Sequence, residues 1–523
     1  MNILFIMCDQ LRADYLSCYG HPHLNTRNID MLASRGVRFN NAYCQAPLCG
    51  PSRASFYTGR YMSSHGVMGN GDPLKMGELT LGDYLRSMGM IAVVVGKSEG
   101  SPNFAALDKF DIDLKSTEGQ CLANNGFLPF EAYSGLYPDP MLPHELGYDA
   151  YLRSYGFGGA NPWERWVNSA IDPNGKRVSG WNMRNAGLAA CVPEEHSETA
   201  FITKRAIEFL DSVEDTDSWC MHLSYIKPHW PYLAPDPYHA LYDQSHIVPV
   251  VRHEKEKQDP HPVYGEFMAE GYSQNFAREE VRSSVIPAYM GLIHQLDDYI
   301  GQVLTHLEKK DLLKNTVIVF TSDHGDYLGD HWLGEKDLFH EASVRVPLII
   351  CDPSQDADET RGRVVEDFVE SVDILPTLVE AAGGVPQSER IEGRSLLPLL
   401  RQKSDRVSSR DAVISEINFS SRGPRARLGL EPHECRAYMI QTLEWKYVLY
   451  NQFPPQLFDL QNDPNEFFDL GIDSAYGQVR KELYDRLFTW IRDLKARTEV
   501  SSDKVYESNP EFTEQLGIMI GHW

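Results

Sequence analysis

No stretch of this chain approaches the roughly 20 consecutive apolar residues that a membrane-spanning helix requires. Positive charge is also scarce: 49 Lys and Arg stand against 74 Asp and Glu, a net charge of −25. That balance excludes nucleic acid as a partner, since phosphate-backbone binding needs a basic face. An anionic small molecule would need a local cationic pocket or a metal. Cysteine is sparse and unpaired in pattern. The nine cysteines are an odd number without zinc-like spacing, which reads as reduced thiols and a cytoplasmic chain. The start, Asn2 to Cys8, is too short for a signal peptide and lacks a basic leader. It reads as a buried strand. Internal repeats are absent.

What is there is a globular composition long enough for about two domains. Short apolar runs alternate with helical periods. Strands are predicted at Asn2 to Cys8, Ile91 to Val95, Trp219 to Ser224 and Thr316 to Phe320. Helices are predicted at Leu79 to Met88, Ala200 to Val213 and along Ile286 to Leu307, where apolar residues keep three-to-four spacing. This alternation predicts an α/β fold with a mostly parallel sheet sandwiched by helices. Residues 101–195 and 232–285 break the rhythm and read as insertions on the carboxyl edge of the sheet. The catalytic α/β domain is placed at 1–403. A smaller antiparallel sheet plus helix is placed at 404–500, and a tail at 501–523. The tail ends in the apolar run Ile518 to Trp523, a liability on a monomer. The expectation is a homodimer or homotetramer in which this tail packs on a neighbour.

Cys49-Gly50-Pro51-Ser52-Arg53, continuing to Thr58-Gly59-Arg60, is the most informative stretch. Pro51 suits the first turn of a helix. Residue 49 then sits at a helix N-terminus, where amides and dipole favour an anion. Arg53, one turn on, brings a fixed cationic fork back to the same spot. Two further pairs, Asp9-Gln10 and Asp323-His324, close predicted strands, and ligands of open α/β sheets bind beyond strand carboxyl ends. Gly96-Lys97 follows the second strand. Lys227-Pro228-His229 follows the third, and Lys336 follows Gly329-Asp330-His331.

Cys49 to Arg53 resembles the segment that directs oxidation of cysteine to formylglycine in type I sulfatases, within the alkaline phosphatase superfamily. Thr321 to Asp326, with Leu328 to His331, is similar to that superfamily's second metal motif. The resemblance runs from Asn2 to about residue 495. It implies an alkaline phosphatase-like fold and a nucleophile made from Cys49 by formylglycine-generating machinery. One divalent metal ion is implied, held by Asp9, Gln10, Asp323 and His324 with the residue at 49 completing the shell. Oxygen ligands suit Ca2+, while the imidazole favours Mn2+. Gln10 and His324 stand where the commonest sulfatases have a carboxylate and an amide, so the chain is closer to a branch of arylsulfatases and phosphonate monoester hydrolases.

On the same resemblance Lys97 stabilises the nucleophile and the anion. His229 and Lys336 serve the leaving oxygen, and Asn70 donates to a non-bridging oxygen. Glu99 departs from the pattern: it acts as a base or pairs with Lys97. The implied activity is hydrolysis of small anionic esters, aryl sulfates first. Phosphonate monoesters or phosphodiesters are the alternative.

Overall fold

The computed structural model describes residues 1–135, 147–214, 216–401, 410–496 and 498–507. Its centre is an eight-stranded sheet. In chain order the strands are β1 (Asn2–Asp9), β2 (Val37–Tyr43), β3 (Ile91–Gly96), β4 (Leu128–Ala132), β7 (Trp219–Pro228), β8 (Thr316–Ser322), β9 (Leu348–Cys351) and β10 (Val364–Glu370). A two-stranded hairpin, β5 (Ser169–Ile171) and β6 (Arg177–Ser179), lies outside it. The spatial order is β10-β2-β9-β8-β1-β7-β3-β4. Every pairing is parallel except those that β9 makes with β2 and β8.

The central strands read as unbroken apolar runs because both faces are covered. All of β1, β7 and β8 is buried. Alternation sends Ile3, Phe5 and Met7 to one face, against Phe56 and Tyr57 of the helix Cys49–Thr58. Leu4, Ile6 and Cys8 go to the other, against the helices Glu198–Ser212 and Glu279–Lys309.

The expected strands and helices are all present, with ends moved by a few residues. The reading of 101–195 wholly as insertion is corrected: Leu128–Ala132 adds an edge strand parallel to β3. Its sequence, LPFEA, carries a proline and a glutamate, which an edge strand tolerates and a central one does not. β2 and β10 were equally illegible. VRFNNAY and VVEDFVE mix polar and apolar residues without a helical or strand period.

A second sheet is antiparallel: β11 (Val413–Asn418), β12 (Arg436–Gln441), β13 (Trp445–Tyr450) and β14 (Gln456–Asp459). The helix Gly477–Asp493 covers one face through Leu483 and Leu487. The other face, with Val413, Ile417, Met439 and Val448, is continuous with the core of the large sheet. Gln45 stitches the two together, its carbonyl accepting from Glu416 N at 2.8 Å. The expected domain border at 404 and the apolar end at Ile518 to Trp523 lie outside the described residues. Among those described, no helix is long and apolar enough to cross a membrane.

A shared core makes the two sheets one unfolding unit. Ile417→Ala should cost about 2–5 kcal/mol and shift a single urea transition of the whole chain. Two separate transitions would contradict this.

Candidate active site

Four neighbouring parallel strands, β8, β1, β7 and β3, end side by side. Each delivers chemistry at its carboxyl end: Asp323 and His324 after β8, Asp9 closing β1, His229 after β7, Lys97 after β3. Local geometry makes each turn. Gln10 has φ 64, which bends the chain so that its N–H donates to Asp323 Oδ1 at 3.0 Å. Gly96 has φ 108, and a Cβ there would collide with the Ser224 carbonyl. Only glycine allows Lys97 this close approach.

The helix Cys49–Thr58 brings the remaining piece, and all ten of its residues are buried. Ser52 Oγ anchors it by donating to the Asp323 carbonyl at 2.6 Å. Cys49 Sγ lies 3.3 Å from His324 Nε2 and 3.8 Å from Asp9 Oδ1. Asp9, Cys49, Asp323 and His324 offer ligand atoms all within 4.8 Å of one another.

The donor set fits a divalent cation. His324 Nδ1 donates to the Gly325 carbonyl at 2.9 Å, which turns the Nε2 lone pair toward the cluster. Two buried carboxylates supply hard oxygens. Gln10 belongs to the same network, but its amide oxygen accepts from Lys336 Nζ at 2.8 Å, and its Nε2 donates to Asp326 Oδ2 at 2.6 Å.

Arg53 is fully buried, and its fork is fully used. Nε donates to Asp323 Oδ2 at 2.8 Å, NH2 to Asp9 Oδ2 at 3.4 Å, and NH1 to the Lys97 carbonyl and Ser224 Oγ at 2.7 and 2.8 Å. The guanidinium therefore holds both carboxylates of the cluster. Lys97 Nζ pairs with Asp9 Oδ2 at 2.6 Å and with Glu99 at 3.2 Å. Burial pushes the Asp9 carboxyl up, yet Lys97 and the other cations outweigh it and hold it well below the usual range.

Lys336 also reaches the nucleophile. Its Nζ is 3.3 Å from Cys49 Sγ and 3.2 Å from His229 Nε2. His229 Nδ1 donates to the Trp230 carbonyl at 2.7 Å, so Nε2 is the acceptor for the Lys336 ammonium. Burial and Lys336 keep the imidazole neutral, well below its ordinary value. The proton thus resides on Lys336. Burial, then Asp9, push the Cys49 thiol up to about 11, and an unmodified thiol at neutral pH is a poor nucleophile here.

Asn70 meets the start of the nucleophile helix. It is exposed, and its Oδ1 accepts from Gly50 N at 2.8 Å. It therefore occupies one of the helix N-terminal amides. Sequence reasoning missed Asp326, Tyr232 and Ser224. Asp326 is buried and accepts from both Gln10 and Tyr232 OH at 2.6 Å, which fixes the Gln10 amide. Asp326 lies within the quoted second motif, and its spacing was its one available signal.

A family model described as Sulfatase matches residues 1–385. The chain belongs to the sulfatase family. A second model, for the C-terminal part of N-sulphoglucosamine sulphohydrolase, matches residues 329–493. Among curated relatives, a multifunctional alkaline phosphatase superfamily protein, PehA, of Trinickia caryophylli is 30% identical, covering 98% of each chain. An arylsulfatase of Clostridium perfringens is 27% identical over 96% of each. The solved phosphonate monoester hydrolase of Agrobacterium radiobacter superposes with a TM-score of 0.81 at 27% identity, covering 96% of this chain and 98% of that one. The chain's large mixed sheet and small C-terminal antiparallel sheet are the alkaline phosphatase-like fold of these neighbours.

Asp323→Ala should abolish binding of the divalent ion and leave Arg53 without its best partner. Elemental analysis should find one ion per chain in the parent and none in the variant. Full occupancy in the variant, or two ions in the parent, would contradict the assignment.

Proposed function

We propose that the protein hydrolyses sulfate monoesters, aryl sulfates in particular, at a formylglycine made from Cys49. The carrying observation is what surrounds residue 49. Cys49 shares a ligand cluster with Asp9, Asp323 and His324, and the Lys336 ammonium lies 3.3 Å from its Sγ. Oxidation by formylglycine-generating machinery would supply a hydrated aldehyde with one oxygen to attack and one to release the bound group. A divalent ion, Ca2+ or Mn2+, would supply Lewis-acid polarisation.

The chain's own residues do the rest. Lys97 and Arg53 neutralise the carboxylates, so that a substrate anion can approach. Lys336 presents a proton and a positive charge where the leaving oxygen departs. His229 accepts from Lys336 and so aims it. The second reading, hydrolysis of phosphonate monoesters or phosphodiesters, is supported by the two phosphonate monoester hydrolases of TM-score 0.81. These substrates and sulfate monoesters carry one charge on a tetrahedral centre, so one clamp fits each. Assembly as a homodimer or homotetramer through 501–523 completes the proposal. Light scattering of a chain ending at residue 500 tests it, with a smaller particle expected.

The intact protein should weigh about 18 Da less than the gene predicts, from exchange of sulfur for oxygen with loss of two hydrogens. Cys49→Ala should retain the fold and lose turnover. A panel of aryl sulfate, phenylphosphonate monoester, phosphodiester and phosphate monoester then ranks the substrates. Preference for the phosphonate would favour the second reading. Lys336→Ala should slow phenyl sulfate by roughly 10²-fold or more and 4-nitrophenyl sulfate much less, because a basic leaving oxygen needs the proton most. Equal losses would assign Lys336 to binding.

A further inference from the structure

Lys336 stands between two residues in the left-handed region, Glu335 at φ 61 and Asp337 at φ 90. Side chains other than glycine enter that region at a cost, and such backbone persists only where the surroundings over-determine it. The large-sheet unit supplies part of that determination. Tyr327 N donates to the Glu335 carbonyl at 2.8 Å, and Asp337 N reaches the Pro47 carbonyl at 3.3 Å.

The small-sheet unit supplies the rest, and it does so on one side of Lys336. Arg422 precedes the short helix Gly423–Arg427. Its Nε and NH2 both donate to Asp337 Oδ1, at 3.1 and 2.8 Å. Lys446, on β13, donates to the Phe339 carbonyl at 2.8 Å. Glu466 follows β14, pairs with Lys446, and accepts from Glu341 N at 3.2 Å. Lys446 and Glu466 are each 1% exposed. Three side chains of the small-sheet unit thus grip residues 337, 339 and 341, immediately downstream of Lys336.

We propose that Arg422 is a positioning residue for Lys336. It holds Asp337, and through it the turn that aims the ammonium at the leaving oxygen. The Lys446–Glu466 pair backs the same segment at Phe339 and Glu341. The inference rests on the role given to Lys336 above. Its chemical content is specific: through Asp337 the small sheet sets proton delivery. A merely structural latch would stabilise the chain without favouring any leaving group.

Arg422 is the residue to test, because its side chain is 31% exposed and the buried pair is left intact. Full-length, cofactor-loaded protein carrying Arg422→Gln is compared with the parent on phenyl and 4-nitrophenyl sulfate. The kcat on phenyl sulfate should fall about tenfold more than on 4-nitrophenyl sulfate, with KM little changed. Arg422→Lys, which keeps the charge and loses the fork, should recover part of the loss. In a Lys336→Ala background Arg422→Gln should add almost nothing, since the two act as one unit. Equal losses on both esters, or losses that multiply in the double variant, overturn the proposal. A crystal structure of Arg422→Gln decides without turnover: Nζ of Lys336 should leave the Gln10 amide oxygen, and Nζ still seated there overturns it. If the parent hydrolyses neither ester, the functional reading fails, and the crystal structure still decides this one.

Discussion

The Arg53 guanidinium is the contact on which the site depends. Asp9 and Asp323 are both fully buried and share one small space. Two carboxylates in such a place repel each other and would take up a proton unless counter-charge is fixed beside them. Arg53 provides it in one planar group. Its donors reach Asp9 on β1, Asp323 after β8, the Lys97 carbonyl after β3 and Ser224 on β7. A single side chain therefore closes the ends of the four central strands. A lysine could not, for its ammonium has neither the span nor the fork. Removing one partner of such a buried group leaves a bare charge, which costs far more than the pair itself contributes.

Around that hub the charges alternate. Lys97 answers Asp9 on one side, and Glu99 answers Lys97 in turn. Lys336 is held by two neutral acceptors, the Gln10 amide oxygen and the His229 imidazole. That difference matters chemically. A lysine paired to a carboxylate is spent on structure, whereas one held by neutral acceptors keeps its charge available. Lys97 and Lys336 look alike in the sequence, and the partners they meet across the sheet separate their roles.

The sequence carried those parts of the site that chemistry fixes by type and spacing. Cys49, Asp9, Asp323 and His324 converge as expected because strand ends and a helix start must meet at one edge of an open sheet. Arg53 reaches the cluster around residue 49, but its carboxylate partners lie 44 and 270 residues away and leave no local trace. The contact of Asn70 with the helix end left no trace for a similar reason: it lies 20 residues from the Gly50 amide it meets. Asp326, Tyr232 and Arg422 act through hydrogen bonds across 85 to 316 residues. Periodicity predicts burial, but it does not say which buried groups touch. The two edge strands, β4 and β10, escaped notice because edges tolerate polar residues that the centre forbids.

The depth of the nucleophile helix has a kinetic consequence. Cys49 is 1% exposed, and every residue from Cys49 to Thr58 is buried between the sheet and its covering helices. No second enzyme can grasp that segment in the finished fold. On the reading proposed above, conversion of Cys49 competes with folding itself: a chain that closes first is sealed with its thiol. The active fraction of a preparation is then set once, during synthesis, by the relative speed of two processes. Later exposure to the modifying enzyme cannot raise it. Specific activity would report the history of the sample as much as the quality of its active site.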